Sequence, residues 1–293
     1  MLGELSTKTL GRFGAYRRRL FGLSAEERAG RPARVVCIAS GKGGTGKSIV
    51  ASNLACLRAQ RGERVALVDF DAGLANAHLL LGLAPRYDLG HVLEGEVEAR
   101  DAMVEGPSGV HVLSGGVGRD VLTNPTRRQL DRLFRALAPL ETAYDLVVVD
   151  LGAGLGFPVL THLAAAQSLV LVTGHEAPAL SDGYALYKRA LRLNPRLRIG
   201  LILNRAPSKE AADRARSRFS DAAERFLGSS PEWLGWVPAD QAVGRSVERR
   251  RPVVLEEPGA PSSRVFALLA AWEGIDAATS VTPFYERARE ALR

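Results

Sequence analysis

Residues Gly41 to Ser48 read GKGGTGKS, an instance of G-x-x-x-x-G-K-[ST]. Glycines let a backbone wrap closely around phosphates, whose charge then meets a row of N–H donors at the positive end of the helix that follows. Lys47 supplies a mobile cation for β and γ phosphates, and the Ser48 hydroxyl stands where a magnesium ion takes an oxygen. The plainer alternative is a glycine-rich turn. Two aspartates close later apolar runs: Asp71 in Val68-Asp69-Phe70-Asp71 and Asp150 in DLVVVD, residues 145 to 150. A strand-end carboxylate beside a phosphate loop orders the ion that neutralises charge developing on phosphate oxygens. The same residue type also caps helices and forms turns.

These residues need elements that hold them together. Arg34 to Ser40, Arg64 to Asp69, Val110 to Ser114, Asp145 to Asp150, Ser168 to Thr173 and Arg198 to Asn204 are short runs rich in β-branched residues and leucine. They read as strands buried on both faces. Between them, Lys47 to Gln60, Pro125 to Pro139, Pro158 to Ala166, Leu180 to Leu193 and Lys209 to Leu227 have helical spacing and length. Strand and helix alternation predicts right-handed crossovers, hence an α/β fold of three layers with a mostly parallel central sheet flanked by helices.

Composition closes off other classes. Across 293 residues, 30 Gly and 15 Pro stay well below a low-complexity tract, and 24% charged residues is ordinary for a globular chain. Two cysteines, Cys37 and Cys56, cannot build a disulfide framework, which points to a reducing, cytoplasmic compartment. Residues 151 to 175 carry no Asp, Glu, Lys or Arg, but Gly152, Gly154, Gly156, Pro158, His162 and Gln167 interrupt them, so no membrane span is expected. Of the net charge of +7, residues 1 to 34 hold +5, from eight basic groups against three acidic ones. The excess describes a leader, not a basic body.

Lys42 adds a second lysine early in the loop. With it, the sequence resembles the deviant phosphate loop, KGGxGK[ST], of the MinD/ParA ATPases. The resemblance implies a P-loop NTPase fold, ATP and Mg2+ as cofactors, and an ATP-dependent homodimer in which Lys42 reaches the partner's nucleotide; added positive charge is the alternative for that lysine. It places Gly41, Lys42, Gly43, Gly44, Thr45, Gly46, Lys47, Ser48 and Ile49 on the nucleotide. Lys42, Lys47 and Asp71 then serve the reaction, Asp71 by positioning the attacking water. Ser48, Asp71 and Asp150 attend the metal, Asp150 through water. Asn204-Arg205, whose asparagine can pair with an adenine edge, and Pro238 and Asp240 of Val237-Pro238-Ala239-Asp240 look like the adenine-side elements; a turn asparagine is the plainer alternative.

Within that family the chain looks most like flagellar-number regulators of the FlhG or FleN type. Residues 73–83, 91–95, 101–107 and 184–188 carry the likeness, which covers roughly residues 33 to 272. It departs from the pattern in lacking a DQAxxLR-like leader, in His78 standing for an aspartate, and in Gly174-His175. The expected function is an ATP hydrolase, slow until a regulatory protein partner stimulates it, that positions or counts a cellular structure at the inner membrane surface. A nonspecifically DNA-binding partition ATPase and a nucleotide-binding scaffold without turnover are the alternatives.

The expected organisation is a basic leader, 1–32, an ATPase domain, 33–272, and a tail, 273–293, with a short amphipathic helix. The leader gathers Leu5, Leu10, Phe13, Tyr16 and Leu20 opposite Lys8, Arg12, Arg18 and Arg19. That pattern suits an anionic membrane surface, an acidic partner groove or docking on its own domain. In the tail, Phe284, Tyr285, Ala288, Ala291 and Leu292 form a second stripe, for membrane or for the body. Arg249-Arg250-Arg251 offers phosphate-backbone contacts or a solvated face.

Overall fold

The computed structural model describes residues 32–71, 76–116, 124–276 and 282–293. The leader expected at residues 1–32 therefore lies almost wholly outside the described residues. The apolar runs become strands: β1 (Arg34–Ser40), β2 (Val65–Phe70), β3 (Val104–Glu105), β4 (His111–Leu113), β5 (Leu146–Ala153), β6 (Ser168–Thr173), β7 (Arg198–Ala206) and β8 (Glu232–Pro238). They form one sheet in the order β3-β4-β2-β5-β1-β6-β7-β8, parallel except for the β3–β4 pair. The order steps outward in both directions from β1, and the phosphate loop follows β1 at the centre.

Side chains along β1 alternate between two cores. Val35, Cys37 and Ala39 enter one face and Val36 and Ile38 the other, all buried, as the two-residue repeat of a strand requires. The first face is covered by α3 (Leu89–Glu94), α4 (Arg127–Leu137), α6 (Phe157–Ala165), α7 (Ala177–Leu193) and α8 (Lys209–Leu227). Over the second lie α1 (Lys47–Gln60), α2 (Ala77–Leu80), α9 (Gln241–Glu248), α10 (Val253–Glu256) and α11 (Pro261–Leu269). The short α5 (Leu140–Ala143) leads into β5, and α12 (Phe284–Glu290) ends the chain. Burial pushes the thiols of Cys37 and Cys56 up to about 12, so both stay protonated packing groups.

Two strands escape the run-based expectation, and both lie at edges. The two residues of β3 offer no period to detect. The half-buried pattern of β8, with Gly235 at φ 115° and register shifts against β7, lacks the continuous apolar run of a central strand. The C-terminal stripe is a correction to the membrane option. Phe284, Tyr285, Ala288 and Leu292 are buried in the first core, and α12 packs on α4 and α6. The buried Glu141 carboxylate accepts the N–H groups of Phe284 (2.7 Å) and Tyr285 (2.8 Å), taking up donors that a helix start leaves unpaired. Residues 284 to 292 therefore belong to the body. No helix among the described residues is long and apolar enough to cross a membrane.

Candidate functional site

The loop between β1 and α1 is held from three sides. Below it, Ser40 Oγ donates to the Lys42 carbonyl (2.8 Å) and the Gly154 N–H donates to the Ser40 carbonyl (2.9 Å), tying the loop to the end of β5. Against α7, a side chain on Gly41 would collide with the Asp182 carbonyl. Gly46, at φ 86°, starts α1 in a conformation that L side chains rarely adopt, and a Cβ there would strike the Asn204 amide. These two contacts explain why the loop begins and ends on glycine.

From β7, Asn204 donates through Nδ2 to the Thr45 carbonyl (2.7 Å) and accepts the Arg205 N–H on Oδ1 (3.0 Å). Its amide thus braces the loop, and the residue is buried. Arg205 donates to the Gly44 carbonyl (2.6 Å). The Asn204-Arg205 pair expected on the adenine side thus holds the phosphate loop through both of its side chains.

Parallel pairing of β2 with β5 places Asp69 opposite Asp150. Lys47 Nζ lies 2.7 Å from Asp150 Oδ1 and 3.4 Å from Asp71 Oδ2. Burial alone would lower the Lys47 ammonium. Attraction to Asp150 and the hydrogen bond to it, with Asp71 and Asp69 behind, raise it above the ordinary lysine value instead. Burial pushes Asp150 above the usual carboxylate range even though Lys47 pulls the other way. Asp69 has a different part. It accepts the N–H groups of Asp71 (2.9 Å) and Ala77 (3.1 Å), bracing the turn after β2, and burial and the Asp150 charge hold it up to about 7.

Over the loop opens a cavity of about 530 Å³, within the range of small-molecule sites. Gly43 to Ile49, Asp71 and Ala153 line it, with Asn76, Leu79, Leu80, Arg205, Val247 and Arg250. Two buried oxygens, Asp150 Oδ2 and Thr45 Oγ1 of the loop, have no hydrogen-bond partner among the described residues. The Ser48 hydroxyl and the Asp150 carboxylate, which it reaches by a hydrogen bond, are oxygen donors of the kind a hard cation and its waters take.

Most expected site residues therefore converge. Lys42 is exposed. Pro238 and Asp240 stand apart from the cavity lining. Asp240 caps α9 by accepting the Ala242 N–H (2.9 Å), and accepts the Ser262 hydroxyl (2.8 Å). Burial would raise its carboxyl, but these bonds carry it below the usual range. As placed, Asp240 fastens α9 to α11, and Asn204 fastens the loop; the adenine-side assignment drew on motif position, which does not reveal such partners. Val247 and Arg250 line the cavity without having been expected there. The three-arginine run had been read as a surface feature, and its place beside the loop depends on how α9 packs.

Known proteins share this arrangement. Residues 36–253 match the family model described as the CobQ/CobB/MinD/ParA nucleotide binding domain. The antiactivator FleN of Pseudomonas aeruginosa is 34% identical over 239 residues, which is 82% of this chain and 85% of that protein. The flagellum site-determining protein YlxH of Helicobacter pylori is 28% identical over 219 residues, 74% of each chain. Among solved structures, the septum site-determining protein MinD of Pyrococcus horikoshii OT3, complexed with Mg-ADP, superposes with a TM-score of 0.66 at 28% identity, over 81% of this chain and 94% of that one. From the phosphate loop at the end of a central parallel strand to its extended match, the chain belongs to the CobQ/CobB/MinD/ParA nucleotide-binding family.

Proposed function

We propose that the chain is an ATP-dependent dimerisation switch, a slow ATP hydrolase that positions or counts a cellular structure. One observation carries this reading: Lys47 sits under the phosphate loop between Asp150 and Asp71. A lysine so placed can exchange carboxylates for phosphates, and the row of loop N–H groups supplies the remaining donors. Magnesium, when bound, neutralises charge on the phosphate oxygens. Ser48 and Asp150 would hold it, Asp150 through water, while Asp71 orients the attacking water. Lys42, exposed on the loop, is available to a second copy's nucleotide.

The relatives support the positioning role, since one is named for determining a flagellum site and another for determining a septum site. Membrane attachment would fall to the leader, because the C-terminal stripe is engaged in the core. The DNA alternative loses support in the arginine run, where Arg249 and Arg251 pair with Glu256.

Titration with Mg-ATP and sizing in its presence test the reading. Lys47→Ala should abolish binding. Lys42→Ala should bind ATP yet remain monomeric where the wild type dimerises. Unchanged affinity in the first variant, or an ATP dimer in the second, would overturn the corresponding role.

A further inference from the structure

A second cavity, of about 500 Å³, opens at the opposite end of the sheet from the phosphate loop, where β2, β4 and β5 begin. That volume is ample for a small molecule. Arg64 stands just before β2, Tyr144 just before β5, His111 opens β4 and Glu105 lies in β3; all four line the cavity, together with Arg100 and Met103. Antiparallel pairing sets Glu105 directly opposite His111, so the two side chains share one face of the sheet. The nucleotide reading uses none of these residues.

The polar groups of this cavity are held in place. The hydroxyl of the buried Tyr144 lies 2.7 Å from His111 Nδ1 and 3.2 Å from Met103 Sδ. A thioether is the weaker acceptor, so the phenol proton goes to Nδ1, and His111 keeps its own proton on Nε2, as a donor. Asp145 braces Arg64: its carboxylate accepts Nη2 at 2.8 Å, the Arg64 backbone N–H at 2.8 Å and Nε at 3.3 Å. None of these bonds uses Nη1. Burial raises the Tyr144 phenol, while the charges of Arg100 and Arg64 work in the other direction, which sets both guanidiniums near its hydroxyl.

Charge narrows the ligand. Two guanidiniums gather at Tyr144, on the β2 and β5 side of His111, and one carboxylate, Glu105, stands on its β3 side. No ion pair among the described residues involves Arg100 or Glu105. A dianion such as phosphate would meet the Glu105 carboxylate, and a simple cation would meet the guanidiniums. A molecule that carries both charges satisfies both sides. We propose that this cavity binds a free amino acid with an apolar side chain, its carboxylate held by Arg64, Arg100 and the His111 Nε2–H and its ammonium by Glu105. Guanidinium forks match a planar carboxylate, and Met103, Ala143 and the Tyr144 ring offer the apolar wall for the side chain. The site stands or falls independently of the nucleotide reading.

The experiment follows the imidazole resonances of the full chain by NMR, with Mg-ADP present throughout so that an anion entering the phosphate loop is not scored. Of the five histidines, His111 is identified by the signal missing from His111→Gln. L-leucine, L-methionine and L-phenylalanine are titrated, beside the N-acetyl and amide derivatives of each and inorganic phosphate. At least one free amino acid should shift the His111 signals saturably. Its N-acetyl derivative, without the ammonium, and its amide, without the carboxylate, should each bind about tenfold more weakly or worse, as the loss of one charged hydrogen bond implies. Arg100→Gln and Glu105→Gln, both at exposed positions, should weaken the free amino acid by a similar factor. No saturable shift from any of the three up to about 10 mM would overturn the proposal. So would N-acetyl derivatives or phosphate binding as tightly as the free amino acid, since that makes the cavity a plain anion site, and so would wild-type affinity in both variants.

Discussion

Lys47 Nζ lies 2.7 Å from Asp150 Oδ1, and both side chains are almost wholly withdrawn from solvent. The pair joins the first residue of α1 to β5, so that helix start and strand meet beneath the phosphate loop. Removing one member of a buried pair strands the other charge, at a cost of about 3 to 5 kcal/mol. Asp150→Ala should therefore lower stability by about that amount in urea unfolding at pH 7 and weaken Mg-ATP binding as well. A variant as stable as wild type would show that the pair contributes nothing to the nucleotide-free fold.

Asp71 is only partly buried and 3.4 Å from Lys47, and its proposed task, orienting water, belongs to the chemical step alone. Asp71→Ala should bind Mg-ATP within a fewfold of wild type, hydrolyse it more slowly by about a hundredfold or more and accumulate as the ATP dimer, as an activated-water contribution of about 10² or more implies. Phosphate release measured beside sizing checks this. Turnover at the wild-type rate would assign the water to another group.

His162 of α6 is fully buried, with Phe70, Phe134 and Phe284 around its ring. Burial lowers it to about 4, although the hydrogen bond to the Pro158 carbonyl works in the other direction. The unfolded chain takes up a proton below about pH 6.5 that the fold refuses until about pH 4. Stability from this group is thus fully present above pH 6.5 and declines as the pH falls toward 4, by about 3 kcal/mol at most. Asp69, held up to about 7, has the opposite sign, its contribution declining as the pH rises from about 4 toward 7. Comparing wild type with His162→Leu, which shares Asp69, isolates the histidine: urea unfolding between pH 7 and 4.5 should show a smaller loss in the variant. Equal slopes would contradict the buried neutral imidazole.

Phe284 is 2% exposed in the core beneath the sheet, so Phe284→Ala should cost about 3 to 5 kcal/mol. Removing residues 283–293 should have a larger effect, because Glu141 also loses the two N–H donors that hold its buried carboxylate. A truncated chain that unfolds at the wild-type urea midpoint would return the segment to the role of a free tail.

What the chain sequence determined by itself is local. The spacing of Gly41, Gly46, Lys47 and Ser48 defines a phosphate loop wherever a strand precedes it, and unbroken apolar runs mark β1, β2, β5, β6 and β7 because central parallel strands bury both faces. Helix α8 was legible to the residue, Lys209 to Leu227, since its buried alanines and Phe219 recur at helical spacing. Tertiary structure decided the rest. Asn204 and Asp240 each have polar side-chain groups that could face a ligand, but the Asn204 amide donates to the Thr45 carbonyl and the Asp240 carboxylate accepts from Ser262, partners set by packing. The stripe from Phe284 to Leu292 has the same period whether it meets lipid or core, and only the apolar surface of α4 and α6 beside it selects the core. Three adjacent arginines look alike in the sequence, yet the ending of α9 sends two of them to Glu256 and the third to the cavity. Side-chain type and period are encoded along the chain, whereas the partner a side chain meets depends on contacts between segments distant in sequence.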